Sequence, residues 1–133
     1  MNRVFVDTSA VLALLNPSDE SHEPARRVFE KLQTRDAALL TTSFVLVEVY
    51  ALLGRRMGLA AVEAFRSDFA PLLEVVWVGA DMHEAGLDLL LERRVRDLSL
   101  VDAVSFLVMR QRRLDEVFAF DRHFRDEGFT LLK

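Results

Sequence analysis

Residues 4–10 read Val4-Phe5-Val6-Asp7-Thr8-Ser9-Ala10. Three β-branched or aromatic residues in a row, opened by Arg3, suit a strand buried on both faces. Asp7, Thr8 and Ser9 are helix-capping types, so the strand passes directly into a helix. Asp7 therefore ends a buried strand, the place where parallel α/β sheets bind their ligands.

The alternation continues outward from this stretch. A short helix is predicted over Ala10–Leu15, stopped by Asn16-Pro17. A charged amphipathic helix follows over Glu20–Leu32, with Ala25, Val28, Phe29 and Leu32 on one face. Ala38–Thr41 reads as a strand, Ser43–Met57 as a helix closed by Gly58, and Leu59–Phe69 as a helix stopped by Pro71. Then come a strand at Glu74–Val78, a helix at Asp81–Arg93 and a helix at Val101–Arg112 capped by Ser99. Val117–Phe120 is a strand, Arg122–Asp126 a helical turn and Phe129–Leu132 a last strand. Strands separated by helices imply an α/β fold, a three-layer α/β/α sandwich with a mostly parallel central sheet. Nothing in the chain reads as a repeat or linker, and 133 residues are one domain's worth, so 1–133 is expected to form a single domain.

Composition narrows the chemistry. Half the residues are hydrophobic (51%), which supports a core without a disulfide or a structural metal. Cysteine is absent, and with it disulfides, thiol catalysis and thiolate metal sites. The net charge of −4 argues against broad attraction to nucleic-acid backbones, so any such contact must be local. No signal peptide precedes Asp7, and the longest weakly charged run, Ala37–Leu53, is short of a membrane span and contains Glu48. A cytoplasmic protein with no membrane partner is expected.

Four acids stand at positions that matter. Asp7 and Asp121 each follow an apolar strand; Asp102 lies in the first turn after Leu98-Ser99-Leu100-Val101; Glu48 lies within the apolar run Phe44–Leu53. Taken singly, the aspartates have a plain structural reading as helix caps, and Ser99 with Asp102 fits a capping box. Glu48 is harder to explain so, because a carboxylate on an apolar helix face must be compensated. Two carboxylates about 4 Å apart repel by roughly 4 kcal/mol at an effective dielectric near 20. A cluster of them holds protons or a cation. All-oxygen ligands select Mg²⁺ or Mn²⁺ over zinc, and such an ion suits phosphoryl chemistry.

These motifs, Val4-Phe5-Val6-Asp7-Thr8-Ser9-Ala10, Thr42-Ser43 leading to Glu48, Leu98-Ser99-Leu100-Val101-Asp102-Ala103 and Phe120-Asp121-Arg122-His123-Phe124, resemble those of the PIN-domain ribonucleases, and within them the VapC-type toxins of bacterial toxin–antitoxin pairs. The resemblance spans essentially the whole chain. It implies RNA cleavage dependent on Mg²⁺ or Mn²⁺, inhibition by a small antitoxin protein, a homodimer, and contact with operator DNA only through the antitoxin. It carries the family's acidic metal-site roles onto Asp7, Glu48, Asp102 and Asp121, with Asp7 and Asp121 binding most directly. Ser9, or else Thr8, stands where the family has a hydroxyl that supports the first acid. Ala119 departs from the pattern, which often has Thr or Ser there; a hydrogen bond to Asp121 would be lost and metal affinity lowered. His123 occupies a position acidic in some relatives and is not counted as a ligand. With no histidine assigned to the site, water rather than the RNA 2′-hydroxyl is the expected nucleophile, leaving a 5′-phosphate and a 3′-hydroxyl.

Rival readings remain. An aspartyl-phosphate phosphotransferase would want an acid at Ser9 and a phosphate-binding lysine, and Lys31 and Lys133 are badly placed. A catalytically weak or inactive binding module with the same fold is compatible with Ala119. His22, His83 and His123 show no zinc-ligand spacing and read as surface residues; no serine triad or glycine-rich phosphate loop is evident. The groups Arg55-Arg56, Arg93-Arg94-Arg96 and Arg110-Arg112-Arg113 fall at predicted helix C-termini, where the helix dipole favours cations. An RNA rim or antitoxin contact is the functional alternative for them.

Overall fold

The structure, a computed structural model, describes residues 2–133. Strands β1 (Arg3–Val6), β2 (Ala38–Thr42), β3 (Leu73–Val76), β4 (Glu116–Phe118) and β5 (Thr130–Leu131) form a sheet in the order β3-β2-β1-β4-β5. Every pairing in it is parallel. Helices α1 (Thr8–Leu15), α2 (His22–Thr34), α3 (Ser43–Met57), α4 (Leu59–Ala64), α5 (Ala80–Arg93), α6 (Leu100–Gln111) and α7 (His123–Asp126) connect the strands. The expected three-layer architecture is present.

The central strand behaves as its composition predicts. Val4, Phe5 and Val6 are wholly buried. On one side of the sheet Phe106 and Phe124 meet edge to face at 5.0 Å, with Phe5 and Phe129 against Phe124. A second aromatic group, Phe29, Phe65 and Phe69, packs at 5.4–5.5 Å between ring centres. Gly58 and Gly86 are demanded by geometry. Gly58, with φ of +89°, ends α3 where an L side chain would be strained. Gly86 lets α5 close onto α6: a Cβ there would sit 2.6 Å from Val104 Cγ2.

Several element limits differ from the sequence reading. The helix predicted over Leu59–Phe69 is α-helical only to Ala64; Phe65–Phe69 is a π-turn, followed by a 3₁₀ turn at Ala70–Leu72. The wider turn brings Phe65 and Phe69 into a stack at an interplanar angle of 21°. β4 ends at Phe118 rather than Phe120, because the Phe120 N–H donates to Ser9 Oγ and not to the sheet. α2 begins at His22 rather than Glu20, since Asp19 Oδ1 accepts from the Ser21 N–H in a local turn.

The topology fixes where a site can form. β1 leads on to β2 and β3 on one side, whereas β4 and β5 lie on the other. The switch between β1 and β4 opens a crevice beyond their carboxyl ends. Asp7 stands immediately after β1, and Asp121 follows β4.

Candidate active site

Asp7 caps α1 and is buried there. Its Oδ2 accepts from the Ser9 hydroxyl at 2.7 Å and from the Ser9 N–H at 3.2 Å. Ser9 Oγ also accepts the Phe120 N–H at 2.9 Å, so one hydroxyl ties the end of β1 to the chain after β4. Of the two candidate supporting hydroxyls, Ser9 is therefore the one that holds Asp7. Thr8 Oγ1 is buried without a hydrogen-bond partner.

Asp102 caps its own helix. Ser99 Oγ accepts from the Asp102 N–H, and Asp102 Oδ2 accepts from the Ser99 N–H, both at 3.1 Å. The capping box is real, but it does not exhaust the role of Asp102, which projects to the same edge as Asp121. Asp102, Asp121 and His123 offer ligand atoms that all lie within 4.8 Å of one another. Asp121 is itself fixed by a local turn, its Oδ1 accepting from the His123 N–H at 2.9 Å.

The electrostatics follow from this crowding. Burial pushes the Asp7 carboxyl from its ordinary 3.8 up to about 7, against the lowering effect of the Ser9 hydroxyl, and the charges of Asp102 and Asp121 add to the rise. Burial likewise raises Asp102, with Asp121 contributing, while hydrogen bonds from Ser99 oppose it. Among the described residues no lysine or arginine forms an ion pair with Asp7, Asp102 or Asp121.

The structure thus brings Asp7, Asp102 and Asp121 into one electrostatic group. Glu48 is placed differently. It is half-buried on the second turn of α3, and its carboxylate makes no hydrogen bond or ion pair among the described residues. α3 starts where β2 ends and packs against both α1 and α6. Glu48 is not among the residues whose ligand atoms gather at the edge, which are Asp102, Asp121 and His123.

His123 was expected at the surface and is not there. Its side chain is 15% exposed, its Nδ1 lies 2.8 Å from Asp121 Oδ1, and that nitrogen is buried with no hydrogen-bond partner. Proximity to Asp121 was visible in the spacing; proximity to Asp102 depends on how α6 packs and carries no local signal. His22 and His83 lie elsewhere, the first against the Ala13 carbonyl and the second edge-on to Phe44.

Of the arginine groups, Arg93 and Arg110 pair with Glu127, and the Arg112 carbonyl accepts from Arg3 at the start of β1. The C-terminus of α6 is therefore at the opposite edge of the sheet from the acids. The residues at the carboxyl edge fit a divalent cation: carboxylates without a protein counter-charge, beside an orphaned buried ring nitrogen.

A parallel α/β/α sheet with uncompensated carboxylates at its topological switch point defines a class of acid-site proteins. The PIN domain family model matches residues 4–129, and the chain belongs to that family. It is 37% identical over 128 residues to the 23S rRNA-specific endonuclease VapC20 of Mycobacterium tuberculosis, covering 96% of this chain and 95% of that protein. The crystal structure of that VapC20, described as a sarcin–ricin loop cleaving toxin, is similar at a TM-score of 0.83 over 96% of each chain. FitAcB from Neisseria gonorrhoeae shares the fold at a TM-score of 0.72 and 11% identity, over 98% of this chain and 96% of that one. VapBC2 from Rickettsia felis does so at 0.69 and 12%, over 98% and 97%.

Proposed function

We propose that this protein is a metal-dependent endoribonuclease, the toxin of a type II toxin–antitoxin pair. The observation that carries the reading is the grouping of Asp7, Asp102 and Asp121 in one electrostatic neighbourhood with no lysine or arginine paired to them among the described residues. The likeness to VapC20 supports RNA as the substrate and makes 23S rRNA the first to try.

Asp7 and Asp121, on either side of the switch point, would hold Mg²⁺ or Mn²⁺, with Asp102 and Glu48 completing the set or orienting the attacking water. A divalent ion bound there supplies positive charge to a phosphodiester and makes water a competent nucleophile at neutral pH. Ser9 keeps Asp7 oriented and favours its ionised form; the Ser99 N–H does the same for Asp102. In-line attack by water leaves a 5′-phosphate and a 3′-hydroxyl. His123 stands beside Asp121, contrary to the expectation of a site without histidine, and the product ends distinguish water from the 2′-hydroxyl as nucleophile.

The wider reading is of one nuclease domain over 1–133, acting in the cytoplasm as a homodimer. A small antitoxin would inhibit it and provide its only contact with operator DNA. No helix among the described residues is long and apolar enough to cross a membrane. The test is incubation of purified protein with 23S rRNA and with Mg²⁺ or Mn²⁺, followed by mapping of the product ends. Cleavage that needs the metal and leaves 5′-phosphates is expected. Cleavage indifferent to chelator, or 2′,3′-cyclic phosphate ends, would overturn the mechanism.

A further inference from the structure

We propose that the His123 imidazole is a ligand of the cation at this site, so that the site is a mixed nitrogen–oxygen one that prefers Mn²⁺ to Mg²⁺. The inference rests on the metal-dependent reading above and adds a donor that the sequence pattern does not supply.

Three observations carry it. First, the turn in which Asp121 Oδ1 accepts the His123 N–H fixes the imidazole beside the carboxylate before any ligand arrives. Second, Nδ1 and Asp121 Oδ1 are 2.8 Å apart, yet Nδ1 has no hydrogen-bond partner. The oxygen lies off the line along which the ring nitrogen would donate. Two polar atoms in contact without a shared proton repel, unless something positive lies between them. Third, Asp102 brings a further oxygen into the same small volume.

These are the relations expected of neighbouring ligands. Donors about 2.1 Å from one octahedral ion stand about 3 Å apart. A buried ring nitrogen without a hydrogen bond costs free energy, and coordination would satisfy it. Imidazole is a poor match for Mg²⁺, which demands oxygen, and a good one for first-row transition ions.

The test is pulsed EPR of the full-length protein loaded with Mn²⁺ alone, with metal affinities from calorimetry. Nitrogen modulation of the Mn²⁺ signal is expected in the wild type and in His22→Gln and His83→Gln. It should be absent in His123→Gln and in His123→Asp, which returns an oxygen donor. His123→Asp should also narrow the preference for Mn²⁺ over Mg²⁺ by about tenfold. The wild-type spectrum needs no variant to fold, and circular dichroism checks the two substitutions. If Mn²⁺ binds, and Asp121→Asn weakens it, but nitrogen modulation is missing or survives His123→Gln, this inference fails and the metal-dependent reading stands. If Mn²⁺ does not bind at all, both fail.

Discussion

Glu127 and Asp7 are both carboxylates largely withdrawn from water, and their surroundings are opposite. Glu127, 12% exposed, receives Arg93 Nε at 2.7 Å and Arg110 Nη2 at 2.6 Å, joining α5 and α6 to the turn after α7. Arg110 also lies over the Phe129 ring. The hydrogen bond from Arg93 is the main cause that lowers the Glu127 pKa. Burial of Asp7, with two neighbouring acids adding to it and only Ser9 opposing, raises its pKa instead. The same chain pairs Glu127 with two arginines and leaves Asp7 with no lysine or arginine partner. This contrast supports reading Asp7, Asp102 and Asp121 as the site proposed above, whereas Glu127 joins α5 and α6 to the turn after α7.

The contrast is broken most decisively by removing charge at each place and reading cleavage. Asp7→Asn or Asp121→Asn keeps the shape of the side chain and loses the charge that holds metal. RNA cleavage at fixed Mg²⁺ or Mn²⁺ should fall about a thousandfold or more, since disturbing even the groups that orient metal ligands costs ten- to a hundredfold. Glu127→Gln should retain wild-type cleavage. Equal losses at both places would erase the distinction, and undiminished cleavage by either aspartate variant would remove that residue from the reaction.

How much of this was legible follows from what each feature depends on. β1 could be read because Val4-Phe5-Val6 has no polar residue and ends on capping types, and Asp7 came with it. Asp102 and Asp121 could be read because each follows such a boundary. The end of β4 could not, since the Phe120 N–H leaves the sheet for a hydroxyl 111 residues earlier in the chain. Nor could the approach of His123 to Asp102, because it is set by α6 packing on α5 and α7. Ala119 offers no side-chain hydrogen bond to Asp121, as its sequence implies, and the bond that Asp121 does accept comes from the His123 N–H. The arginines at the helix ends were ambiguous in sequence, and the two facing Glu127 turn out to be structural.

Stability without metal sharpens the comparison next, because the two acids respond to pH in opposite directions. Asp7 is raised from 3.8 to about 7, so the folded protein binds the extra proton. Its stabilising contribution is full below the unfolded pKa and is lost as pH rises through about 7. About three pKa units correspond to at most about 4 kcal/mol. In chelator at pH 8, Asp7→Asn should therefore melt several degrees above the wild type. Metal should reverse the order, because an ion at a hundred times its dissociation constant adds about 2.7 kcal/mol to the form that binds it. Thermal melts from pH 5 to 8, with chelator and with millimolar Mn²⁺, measure both. A wild type more stable than Asp7→Asn in chelator at pH 8, with no shift on adding metal, would make Asp7 an ordinary cap.

Glu127 should show the reverse sign at a smaller size. Its lowered pKa means that its contribution is present above the unfolded value of 4.5 and is lost as pH falls through the folded one. Glu127→Gln leaves Arg93 and Arg110 without their partner. Both are partly exposed, and water screens the loss, so about 1–2 kcal/mol is expected at pH 7 and less at pH 3. Denaturant unfolding at the two pH values tests it. A cost that persisted at low pH would mean that packing, not charge, holds α7 to α5 and α6.

The smallest effect expected is at Ser9, and it asks whether the site is held open by its own hydrogen bonds. Ser9 Oγ donates to Asp7 Oδ2 and accepts from the Phe120 N–H, spanning the crevice between β1 and the segment that leads to Asp121. Ser9→Ala leaves that N–H without its partner, a loss of about 1 kcal/mol. It also removes the strongest influence that opposes burial at Asp7, so the Asp7 pKa should move further up. Because metal must displace that proton, the concentration of Mn²⁺ giving half-maximal cleavage should rise up to about tenfold at pH 7. The difference should shrink as pH is raised toward 9, and saturating metal should restore most of the rate. Ser9→Thr keeps the hydroxyl and should stay near the wild type. Metal titrations of cleavage at pH 7 and 9 separate the cases. A Ser9→Ala protein that titrates like the wild type at pH 7 would show that Asp7 is oriented by its cap position alone. A rate that stays low at saturating metal would place the Ser9 hydroxyl in the reaction itself, not behind Asp7.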